Sequence, residues 1–161
     1  MQTTVAFTSI NTYVGVASGT ACTGGTCGYQ QAIYSSDLTT QLCITQIGTS
    51  GNGTANLNIN TTGVKVLTFA NGADVSAGVC TLPVGHYLLV STSDSTALRI
   101  VNYENNGLNA GSVLNTNFPR YWGGSTAVIS TGNGASLALN SNLSGVTFTA
   151  NVTTLVAGFE K

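Results

Sequence analysis

Leu82-Pro-Val-Gly85-His-Tyr-Leu-Leu-Val-Ser91 is the stretch that decides the fold class. Pro83 and Gly85 make a corner, since proline holds φ near about −65° and glycine reaches conformations closed to other residues. Tyr87, Leu88, Leu89 and Val90 follow without helical spacing, which reads as a buried strand leaving a turn. After the polar turn at 92–96 comes Ala97-Leu-Arg-Ile-Val-Asn-Tyr103, a second run of the same kind. These two are expected to lie together at the centre of a sheet.

The same grammar extends in both directions. Short β-branched and aromatic runs alternate with Gly, Asn, Ser and Asp, and no window places apolar residues at helical spacing among good helix formers. The remaining expected strands are Thr3–Ile10, Tyr13–Ala17, Gln31–Tyr34, Gln41–Ile47, Thr54–Asn60, Val64–Ala70, Gly78–Leu82, Ala127–Ser130, Ala135–Asn140 and Val146–Val152. About 10–12 short antiparallel strands at this spacing predict an all-β domain, a β-sandwich or jelly roll. No linker divides residues 1–161, so one domain is expected. Residues 51–69 and 132–148 resemble each other: each opens on Gly-Asn-Gly, alternates apolar with polar (Leu57 and Ile59; Leu137 and Leu139), and turns again at Gly63 or Gly145. Duplicated hairpin units are one reading; convergent turn chemistry in a polar chain is the other.

Charge separates this chain from ordinary soluble domains. Charged residues make up 6% of the 161, against roughly 25% in a typical domain. The cations are Lys65, Arg99, Arg120 and Lys161; the acids are Asp37, Asp74, Asp94, Glu104 and Glu160. Ser, Thr, Asn and Gly carry the polarity instead. Four cations cannot neutralise a run of phosphates, which argues against nucleic acid and against anionic membranes. No apolar run reaches the ~20 residues of a membrane-spanning helix. The residues after Met1 show neither a basic region nor an apolar core, so an outside location implies a leader already removed or export without one. A hydroxyl and amide surface repels its neighbours little and can hydrogen-bond across a contact, which suits a protein built to sit against copies of itself or another protein.

Four cysteines, Cys22, Cys27, Cys43 and Cys80, allow three disulfide pairings. The short Cys22-Thr-Gly-Gly-Thr-Cys27 stretch could close on itself and leave Cys43 to Cys80. Two disulfides imply an oxidising compartment, extracellular or on a virion. Zinc needs tighter ligand pairs than these, and no Asp-x-Asp-x-Asp run suggests calcium, so no cofactor is expected. His86 has no partner placed by the sequence, and Asp37, Asp74 and Asp94 stand in turn contexts where aspartate satisfies backbone. No acid–base set can be assembled from these residues, and enzymatic activity is not expected. Phe118, Arg120, Tyr121 and Trp122 lie in one loop and form the candidate binding or interface segment, because aromatics and Arg are enriched at interface cores. Asn52, Asn60, Asn142 and Asn151 each begin an Asn-x-Ser/Thr match and are candidate glycan acceptors.

By composition over its whole length the chain resembles small all-β virion proteins of the capsid-decoration or fibre type; no single motif carries the likeness. That resemblance implies a jelly-roll or immunoglobulin-like fold and a structural protein assembled with its own copies or on a capsid. Two other functions fit the residues. One is a pilus-like filament subunit donating its N-terminal strand, Thr3–Ile10, to the next subunit's sheet. The other is a lectin-like module binding a glycan through Asn117, Tyr121 and Trp122.

Overall fold

A computed structural model describes residues 4–20, 22, 24–100, 102–103, 122–124, 128–147, 149–151, 154–155 and 157–160. For 99–100, 102–103, 122–124, 149–151, 154–155 and 157–160 it is the backbone that is described. The chain is all-β and its strand pairs are antiparallel. The strands are β1 (Val5–Phe7), β2 (Ser9–Val16), β3 (Gly28–Ser35), β4 (Gln41–Thr45), β5 (Gly48–Thr49), β6 (Gly63–Asn71), β7 (Val75–Ser76), β8 (Val79–Leu82) and β9 (Tyr87–Ser93). Shorter pieces follow: β10 (Arg99–Ile100), β11 (Asn102–Tyr103), β12 (Trp122–Gly124), β13 (Ser130–Thr131), β14 (Ala138–Leu139), β15 (Thr149–Asn151), β16 (Thr154–Leu155) and β17 (Ala157–Glu160).

The large sheet runs β2-β6-β4-β3-β9, with β10 and β17 sharing the far edge of β2 and β5 extending β4 along β3. It curls strongly. Thr12 on β2 and Gln31 on β3 are separated by two intervening strands, yet their side chains hydrogen-bond at 2.8 Å across the concave face. A small sheet, β1-β8-β7, packs over one end of that face. Phe7, Cys80 and Leu82 from the small sheet meet Ile10, Ile33, Cys43 and Phe69 from the large one, and the Cys43–Cys80 disulfide ties the two together. At the other end Val14, Tyr29 and Leu67 are capped by loop residues Cys27, Ile59 and Leu98.

β3 is the centre of the molecule, buried along both faces until Ser35. Its convex face, Ala32 and Tyr34, is covered by Leu139 and Leu143 of the segment after β13. The expected central pair was a different one. Residues 87–93 do form a strand, but among the described residues β9 pairs with β3, and Leu88 remains 41% exposed. Residues 97–103 split between β10, on β2, and β11, on β16. The turn explains the split: Ser95 Oγ accepts the amides of Ala97 and Leu98 and donates to Ser18 O, which carries the chain away from β9 towards β2.

The stretch 54–60 is not a strand. Ala55–Leu57 is a 3-10 turn, because Asn52 and Asn58 side chains accept the amides of Thr54 and Asn60 and so compete with ladder formation. Gly134–Ser136 repeats that turn in the matching segment; of the four residues expected to face inward, Ile59, Leu137 and Leu139 are buried and Leu57 is half-buried. The likeness stops there: β6 follows the first turn, whereas Val146 donates to Leu143 O in a further turn after the second.

Candidate functional site

Four features carry chemistry: the disulfides, a polar band in the core, a buried lysine and a carboxylate clamp. Cys22 pairs with Cys27 and Cys43 with Cys80, the arrangement in which the short stretch closes on itself. Cys22 Sγ, Cys27 Sγ and an Asp94 oxygen lie within 4.8 Å of one another, a spacing that could hold a metal ion. Both sulfurs are spent in the disulfide, so the oxidised chain offers no thiolate there. The Asp94 carboxylate is engaged as well. It accepts from Gly28 N at 2.6 Å and from Gly134 N at 2.7 Å, joining the start of β3 to the second 3-10 turn. Turn chemistry predicts a local role for this residue; the observed partners are 66 and 40 residues away. Asp37 does act locally, accepting from Ser35 Oγ, Thr39 N and Thr39 Oγ1, bonds that hold its carboxyl below the usual range.

Between the two apolar clusters of the concave face lies a polar band. Gln31 accepts from Thr12 Oγ1 and donates to Ser91 Oγ at 3.2 Å, while its amide donates to Thr45 Oγ1. Tyr29 donates to Ser91 Oγ, and burial pushes its phenol up to about 12. On the convex face Gln30 bridges Thr45 O and Leu139 N, and Tyr34 donates to Asn140 O. Every buried side-chain nitrogen and oxygen among the described residues has a partner. The band is therefore closed on itself and makes a register lock: hydroxyls and amides at these positions fit one alignment of β2, β3, β4 and β9. Strand alternation cannot reveal it, because Gln30, Gln31 and Thr12 look like solvent-facing positions.

Lys65 is the third feature. Alternation along β6 turns Val64, Val66 and Thr68 outward and Lys65, Leu67 and Phe69 inward. Lys65 is 2% exposed, and its ammonium donates to Thr61 Oγ1 at 2.7 Å and Ala55 O at 3.3 Å, with burial lowering its pKa. The outward face of β2 and β6 is left without charge. Tyr13 stands directly opposite Val64 and is 49% exposed; Val64 is 55% exposed; Asn11 and Val66 form the next pair.

Of the candidate interface loop, Phe118, Arg120 and Tyr121 lie outside the described residues. Trp122 opens β12 and stands in register opposite Asn151 of β15, so backbone pairing brings together the tryptophan and one glycan candidate. Asn60 and Asn142 are exposed and Asn52 is half-buried. Asn142 Oδ1 accepts both the amide and the hydroxyl of Ser144, while Leu143 between them is buried. His86 is exposed at the start of β9. A shallow depression of about 300 Å³ beside β1 is lined by Thr4, Val5, Ala6, Thr8 and Val79 and carries no ionisable side chain.

Compared with protein-family models, with curated proteins and with solved structures, the chain matches none of them.

Proposed function

We propose that this protein is a structural subunit that assembles with its own copies on or into an extracellular particle, a virion surface being the setting its composition favours. One observation carries the reading: a disulfide-stapled all-β body presents an uncharged β2–β6 face that ends on a half-exposed tyrosine and valine. Disulfides suit an oxidising compartment, and an uncharged face is inexpensive to desolvate against a similar one. The filament form with strand donation is less well supported, because β1 pairs with β8 of its own chain, Val5 opposite Leu82 and Phe7 opposite Cys80. Donation would first have to strip that pairing.

Native mass by size-exclusion chromatography with light scattering tests the reading. The expected result is a discrete oligomer or longer polymer that survives high salt, since exposed ion pairs contribute little to it. A monomer at every concentration up to the millimolar range would overturn it.

A further inference from the structure

The placement of Lys65 makes a surface. β6 reads Val64-Lys65-Val66-Leu67, and the fold turns the lysine into the core and the two valines out. The lysine's own preference does not explain this arrangement. A buried ammonium held by a hydroxyl and a carbonyl is costly to desolvate, whereas a charge on the solvent-facing surface favours solubility. Slipping β6 by one residue would expose Lys65 and bury Val64 and Val66, but would also expel Leu67 and Phe69 from the two core clusters. The outcome is a sheet face built from Asn11, Tyr13, Val64, Val66 and Thr68, with no charge of either sign.

We propose that this β2–β6 face, anchored by the Tyr13–Val64 pair at one end of its ladder, is the docking site for a second copy of the chain. The inference rests on the assembly reading above and names the surface it uses. Among these five residues a strongly acidic or basic partner would find no counter-charge. The chain's own exterior does match, because hydroxyls, amides and small apolar groups replace charges throughout a sequence of net charge −1. Two copies therefore meet without repulsion. Tyrosine is suited to the middle of such a contact, with a broad apolar ring and a hydroxyl that can find a partner across the interface.

The test compares wild type with Tyr13→Glu and Val64→Glu, and with Val84→Glu in the turn before β9, where Val84 is 61% exposed. Sedimentation velocity reads assembly, and near-ultraviolet circular dichroism checks the fold. Wild type and Val84→Glu are expected to assemble alike, and the two face variants to associate at least tenfold more weakly. As a readout on unaltered protein, Tyr13 is expected to lose reactivity to hydroxyl-radical footprinting as concentration rises. If both face variants assemble like wild type, or Tyr13 stays equally reactive in the assembled form, the docking site is wrong while the assembly reading stands. If wild type is monomeric throughout, both fall, and a glycan or unrelated protein becomes the occupant to seek.

Discussion

Thr12 and Gln31 hydrogen-bond inside the concave face, where both side chains are buried. Thr12→Val leaves Gln31 Oε1 buried without its donor and is expected to cost about 1–3 kcal/mol. Thr12→Val combined with Gln31→Leu removes both partners and is expected to recover a large part of that loss, which urea titration of the two single variants and the double variant would show. Tyr29 and Lys65 set the alkaline limit. Tyr29 titrates at about 12 when folded and near 10 when unfolded, so its contribution is complete below pH 10 and is lost as pH rises towards 12. Lys65 works oppositely: its folded pKa is lowered, the unfolded chain holds more protons just below about pH 10.4, and stability gains slightly as pH rises through that window. Melting temperature is therefore expected to hold or rise slightly up to about pH 10 and then to fall, with the Tyr29 phenolate, read as the absorbance difference between wild type and Tyr29→Phe because the chain holds six tyrosines, appearing together with unfolding. A Tyr29-dependent phenolate signal ahead of unfolding would show Tyr29 to be accessible.

Element by element, legibility followed burial on one face. β6 and β8 were readable because apolar and other residues alternate along them, and β9 because of its apolar run. β3 was half read, at Gln31–Tyr34, since a strand buried on both faces should look apolar and this one places Gln30 and Gln31 in the core. Residues 54–60 were misread because Leu57 and Ile59 alternate as in a strand while the Asn side chains hold a 3-10 turn. The Asp94 clamp was beyond the sequence altogether: it joins segments that only the finished fold brings together. Their approach is close. A Cβ on Gly28 would press on Gly134 O and lie 3.1 Å from Leu137 Cβ; one on Gly134, at φ +54, would lie 2.6 Å from Thr26 O. Gly28→Ala is expected to cost about 1–3 kcal/mol in chemical denaturation and to loosen the segment after β13, seen as faster amide exchange at Leu137 and Leu139. An unchanged midpoint would mean that the two segments can separate freely.

For the whole molecule, the division of labour runs between apolar clusters, which supply the hydrophobic gain, and cross-links, which limit the unfolded chain. Cys43–Cys80 spans 37 residues and joins the two sheets; Cys22–Cys27 spans 5 and closes one loop. Loop-entropy arithmetic assigns the first about 4 kcal/mol and the second about 2. Replacing Cys43 and Cys80 together by Ala is therefore expected to lower stability more than replacing Cys22 and Cys27, read as denaturation midpoints of the two variants. Equal losses would show the sheets to be held by packing alone.

The Cys43–Cys80 bond also governs how the protein answers a pull. A tether drawn from its two ends cannot pay out the chain between those cysteines, and at roughly 3.3–3.6 Å per residue that withholds on the order of 120 Å of extension. Pulled from its ends, the chain would extend by what the residues outside 43–80 allow and stop, and adding a reductant would release the remainder as a second step.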